Sequence, residues 1–193
     1  MLVVDHLKEE NAQLKKRNRD FEEKNAKLNS QLNELEQHGW RQYFEIHGIP
    51  MPDNEANAEV EDKVLPVRKK IDTTISKDAI DVVHRLRGKP KTDQNKKCPC
   101  IIVRFIGRKN RNNIYSTRKK LKSAEFDDPR IDRVFINENL TSRKKHLLAQ
   151  ANQKRKDLHW MYLWTNNGRM HLRKNENGAV ITIQTEDDLH RIK

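Results

Sequence analysis

Cys98 and Cys100 are the chain's two cysteines, and their spacing, Cys-Pro-Cys, first suggests a metal site or a thiol couple. Each chemistry needs more than the pair supplies. A structural zinc ion takes four donors, yet no second Cys-x-x-Cys and no His-x-Glu accompanies the pair, so zinc and deaminase chemistry lack ligands. Two cysteines one residue apart do not bridge each other comfortably. The six glycines form neither G-x-x-x-x-G-K-[ST] nor G-x-G-x-x-G, the loops that cradle phosphates. Asp127-Asp128 and Asp187-Asp188 fall in expected turns or helix starts, where they read as caps. The expectation is no catalytic residue, no metal and no cofactor.

What the chain offers instead is positive charge, unevenly placed. Its net charge is +12, but residues 63–126 hold 19 Lys and Arg against 5 Asp and Glu, a net of +14. Residues 39–62 carry a net of −5, and residues 1–38 a net of −1. A local excess of this size repels itself and points to a polyanionic partner. Arg87, Lys89, Lys91, Lys96 and Lys97 lie in one basic loop. Arg104 interrupts an apolar strand, and Arg108 and Lys109 open the helix after it, beside backbone N–H groups suited to phosphate. Arg111, Tyr115, Arg118 and Lys122 fall at offsets 0, 4, 7 and 11, a basic helical stripe with one aromatic. Tyr162, Trp164, His171 and Arg173 share one face of an expected hairpin, a combination suited to stacking on unpaired bases.

The elements that must carry these residues follow from periodicity. Leu7, Leu14, Phe21, Leu28 and Leu35 recur every seventh residue as heptad d positions, with Val4, Asn11, Asn18, Asn25 and Leu32 at a. Such a stripe predicts a parallel coiled coil over residues 1–38, a rod of about 50 Å. Glu10 then meets Lys15, and Arg17 meets Glu22, across the parallel interface. Residues 43–50 read as a strand ending at Gly48 and Pro50. Residues 57–71 read as a helix with Val60, Val64, Val67 and Ile71 inward and a kink or late start at Pro66. Strands at 79–86, 100–107 and 133–137, with a helix at 109–122 that turns Ile114, Thr117, Leu121 and Ala124 inward, complete a β-α-β-β-α-β order. That is the ferredoxin-like plan of RNA-recognition motifs. A helix at 141–158 (Leu147, Ala151 and Leu158 inward), a hairpin at 160–174 turning at Asn167-Gly168, a strand at 180–184 and a short closing helix form a last small unit.

The fold class is therefore α+β in three parts. Residues 1–38 form an oligomerisation rod, residues 40–139 an atypical RNA-recognition-motif domain, and residues 140–193 a small C-terminal α+β domain. The composition, 34% hydrophobic and 35% charged, supports a modest core. No run of 18 apolar residues and no signal-peptide core appears, so no membrane association is expected and a soluble intracellular protein is the plain reading.

Taken together, FEIHGIP (44–50), DVVHRLRGKP (81–90), PCIIVRFIGRKNRNNI (99–114), NENLTSRKKHLL (137–148) and LWTNNGRMHLR (163–173) carry a resemblance. They resemble the first open-reading-frame protein of LINE-type retrotransposons, and equally the animal proteins that share a domain with the baculoviral few-polyhedra protein. The retrotransposon side implies an oligomer that coats its own transcript and acts as a nucleic-acid chaperone. Its partners would be single-stranded RNA, with single-stranded DNA second, in a cytoplasmic ribonucleoprotein with the nucleus as a further location. Arg17-Asn18-x-x-Phe21-Glu22 is similar to that family's trimerisation pattern, with Asn18 in place of an apolar a residue, and favours a homotrimer over a dimer. The few-polyhedra side implies the alternative, a structural or trafficking coiled-coil protein with acidic partners. A duplex-DNA zipper factor is disfavoured, because its basic helix precedes the heptads and here the basic segment follows them.

In an ordinary RNA-recognition motif the open sheet face carries stacking aromatics. The corresponding positions here are Glu45, Cys100 and Ile102, with Arg104 on the same face, either open to a ligand or paired with Glu45 across adjacent strands. Binding is thus expected to move to loops and edges. Trp164 has two readings, a stacking platform or a core residue under the C-terminal helix.

Overall fold

A computed structural model describes residues 2–52, 55, 57–71, 77–86, 99–123 and 126–192. The basic loop with Arg87, Lys89, Lys91, Lys96 and Lys97 lies outside the described residues, as do Cys98 and Ala124. The chain divides into two units, Met1–Gly39 and Trp40–Lys193.

The first unit is a single helix, α1 (Leu2–Gly39), uninterrupted by Pro or Gly before its last residue. Its d residues Leu7, Leu14, Phe21, Leu28 and Leu35 and the a residue Leu32 remain 52–70% exposed. A helix with an apolar stripe in water gains nothing from that stripe until another surface covers it.

The second unit contains two antiparallel sheets. The first has β1 (Tyr43–His47), β2 (Ile80–Arg85), β3 (Ile101–Phe105) and β4 (Phe135–Glu138), in the order β2-β3-β1-β4. The helices α2 (Asn57–Ile71) and α3 (Arg108–Thr117) complete the ferredoxin-like β-α-β-β-α-β succession. Alternation sends Phe44, Ile46, Ile101, Val103, Phe105 and Ile136 into one core, where they meet Val60, Val64, Val67 and Ile71 of α2 and Ile114 of α3. Helix α2 runs through Pro66 as one element, so the late start expected as one alternative there does not occur. Pro66 lies on the exposed side, where water can satisfy the carbonyl that its missing N–H leaves unpaired. Gly48 ends β1 at φ +92°, and an added Cβ would stand 1.9 Å from the Arg133 carbonyl oxygen. Only glycine fits there. Arg85, buried at the end of β2, donates to Glu55 and to the carbonyls of Ile49, Pro50 and Pro99, pinning the segment that leaves β1.

The second sheet follows helix α4 (Ser142–Asp157), whose N-cap Thr141 accepts a hydrogen bond from the Lys144 amide. Strands β5 (Tyr162–Asn166), β6 (Arg169–Arg173) and β7 (Val180–Ile183) lie in chain order. The hairpin turn has both central residues at positive φ, Asn167 at 52° and Gly168 at 74°, as a tight two-residue turn requires. Leu147 and Ala151 of α4 pack with Trp160, Met170, Leu172, Ile183 and Ile192 into a second core. Leu158, expected inward, instead sits exposed at the C-cap of α4.

Candidate nucleic-acid interface

Glu138, the last residue of β4, ties the two sheets together. Its carboxylate accepts from the Arg111 guanidinium at 2.8 Å, and from the backbone N–H groups of Asn167 at 2.8 Å and Gly168 at 3.0 Å. The side chains of Arg111 and Glu138 are only 3% and 2% exposed. Arg111 also lies over the rings of Phe44 and Tyr115. The expected basic stripe is corrected here, because Arg111 is a buried partner of Glu138 and not a phosphate ligand. Tyr115 is corrected with it. Its ring stacks on Phe44 at 5.9 Å, the Arg118 guanidinium covers it at 3.7 Å, and its hydroxyl meets Thr165 of β5. No face of that ring is left for a base.

This tie forms a groove of about 520 Å³ between the first sheet, α4 and β5. His47, Arg118, Asn137, Lys145, Asn152 and Trp164 line it. Of the expected basic stripe, Arg118 lies in this lining beside Tyr115, while Lys145, a residue of α4, had no signal of its own in the sequence. Lys145 reaches Glu45, which also accepts from His47 at 3.3 Å. Burial alone would raise the Glu45 carboxyl, but the hydrogen bonds from His47 and Lys145 outweigh it and hold the group below its ordinary value.

Arg104 does not pair with Glu45. The register sets Arg104 opposite Tyr43 and Glu45 opposite Ile102. Arg104 meets Asp81 instead at 3.1 Å, at a register shift between Ile80 and Val82, and lies over the Tyr43 ring. With its charge matched by Asp81, Arg104 is a weak candidate for phosphate. Cys100 and Ile102 occupy the outer face as expected, with Ile102 buried. One stacking pair was missed, His47 with Phe135, whose rings lie 4.9 Å apart and 6° from parallel. A strand as short as RVFIN gives little warning that its Phe faces outward.

The hairpin places its four residues as the spacing implied. Trp164 pairs with His171 and Tyr162 with Arg173. Trp164 stacks on His171 at 5.5 Å, and Arg173 covers Tyr162 at 4.6 Å. Thr182 of β7 extends the row by a 3.1 Å contact with His171. Burial, and then the charge of Arg169, lower the His171 pKa, so its ring is neutral near pH 7. The buried tryptophan of this region is Trp160, 6% exposed, whereas Trp164 is only partly covered and stands outside the core cluster. If Trp164 stacks on unpaired bases, Trp164→Ala is expected to lower affinity for single-stranded RNA by about 1–3 kcal/mol at an unchanged melting temperature. A large drop in melting temperature would return Trp164 to the core. Arg108 and Lys109 stand exposed at the start of α3, whose N-cap Gly107 offers no side chain, and Lys122 is exposed beyond its end.

The fold and the groove define an α+β protein with a long N-terminal helix, a ferredoxin-like sheet and a second, three-stranded sheet. Residues 141–193 match the family described as Baculovirus FP protein domain 2, a span that begins at the N-cap of α4 and contains the whole second sheet. The match bears on the few-polyhedra side of the resemblance alone. No curated protein matches the chain.

Proposed function

We propose that the chain is an oligomeric single-stranded RNA-binding protein that packages RNA into a ribonucleoprotein and acts as a nucleic-acid chaperone, as the retrotransposon resemblance implies. The observation that carries this reading is the groove, which Arg118 and the partly covered Trp164 line together. Cations that follow a backbone, beside an aromatic face that accepts any base, are what sequence-tolerant single-strand binding requires. The +14 charge of residues 63–126 adds long-range attraction. The exposed stripe of α1 supplies a surface for self-association, as a homotrimer before a dimer, and tethering several grooves together raises avidity. The proposed setting is a cytoplasmic ribonucleoprotein.

The test is binding of the full chain to single-stranded RNA, single-stranded DNA and duplex DNA over a salt series. Single-strand preference with steep salt dependence is expected. Weak binding without strand preference would favour the structural or trafficking role. Arg118→Ala should flatten the slope by roughly 0.7 units, the share of one phosphate of a single strand that is no longer neutralised. An unchanged slope would remove the groove from the binding surface.

A further inference from the structure

Glu45 and His47 are two apart on β1, so the pleat turns both to the outer face of the first sheet. The antiparallel pairing of Ile46 with Ile101 brings Cys100, one residue before β3, to the same place. A carboxylate oxygen, a ring nitrogen and the Cys100 Sγ lie within 4.8 Å of one another. The His47 nitrogen and Glu45 Oε2 are already 3.3 Å apart. Zinc bond lengths of about 2.0–2.3 Å at a tetrahedral angle set neighbouring donors about 3.3–3.8 Å apart. Small side-chain rotations are enough to bring Sγ into that range.

We propose that Glu45, His47 and Cys100 form a binding site for a zinc-class divalent metal ion. The donors are one sulfur, one imidazole and one carboxylate, a set that favours Zn²⁺ or Co²⁺ over Mg²⁺ or Ca²⁺. Outer partners hold two of the three ligands in place. Phe135 stacks on the His47 ring at 4.9 Å, and Lys145 takes Glu45 Oε1, which leaves Oε2 directed at His47. Among the described residues, Lys145 and Arg85 are the cations that act on the cysteine of this cluster, and a bound thiolate and carboxylate together balance a doubly charged ion. His47 and Cys100 are partly exposed, so water can take the fourth position. Burial, followed by the charge of Glu45, pushes the Cys100 thiol up, so metal binding must release its proton and the affinity rises with pH.

A Co²⁺ titration of the full-length chain carrying Cys98→Ser tests this, since Cys100 is then the sole thiol. A sulfur-to-cobalt charge-transfer band that saturates at one equivalent and is bleached by Zn²⁺ is expected. Cys100→Ser in that background should abolish the band. Glu45→Gln and His47→Gln should each weaken binding by more than the roughly 10–100-fold that loss of an outer partner costs. Circular dichroism of each variant checks its fold, and the near-isosteric Glu45→Gln keeps the test decisive if His47→Gln misfolds. No sulfur band, or a band of native strength in a folded Glu45→Gln or His47→Gln chain, would overturn the site.

Discussion

Glu138→Ala is expected to lower the unfolding free energy by about 3–5 kcal/mol, the cost of leaving one member of a buried ion pair uncompensated. Three donors lose their acceptor at once, namely the Arg111 guanidinium and the Asn167 and Gly168 amides. Arg111 has the rings of Phe44 and Tyr115 around it, and neither accepts a hydrogen bond as a carboxylate does. Glu138→Gln should fall between the native chain and the alanine variant, because an amide oxygen still serves one donor but no longer matches the cationic charge. Replacing both partners together, with Arg111→Met and Glu138→Leu, should cost less than the two single losses combined, since no buried charge is then stranded. Urea melts measure all of this. A Glu138→Ala chain within about 1 kcal/mol of native would mean that water satisfies the three stranded donors.

Removing residues 1–38 is expected to leave the remainder folded and monomeric, and to weaken RNA binding by the avidity lost, a factor of about 10²–10⁴ for linked sites. The residues removed form almost the whole of one structural unit, and the second unit contains both cores. Light scattering with a binding titration separates the outcomes. An unchanged oligomer would place self-association elsewhere, and unchanged affinity in a monomer would show that one groove suffices. Phe21→Asp and Leu28→Asp in the full-length chain should reproduce the deletion, because a charge at a d position removes the gain from covering the stripe.

Much of this protein was determined by runs of neighbouring residues. The seven-residue recurrence of Leu7, Leu14, Phe21, Leu28 and Leu35 specifies α1. The spacing of Val60, Val64, Val67 and Ile71 gives α2 its buried face. Asn167-Gly168 sets the hairpin, and with it the pairs Trp164–His171 and Tyr162–Arg173. These are local properties, since period, turn conformation and cross-strand register depend on residues a few positions apart. What only the tertiary structure decided is which charges and aromatics remain available. Arg111 has the spacing of a surface cation, but a glutamate 27 residues later takes its charge into the interior. Tyr115 loses its ring to Phe44 and its hydroxyl to Thr165. Arg104 goes to Asp81 because a register shift in β2 brings that carboxylate beside it. Conversely, Lys145 gains a place in the groove, and Glu45, His47 and Cys100 become neighbours although more than fifty residues separate the first two from the third. A side chain's period says which face it is on, whereas its partner is set by where the chain returns, and in a basic sequence that return decides which cations stay open to a ligand.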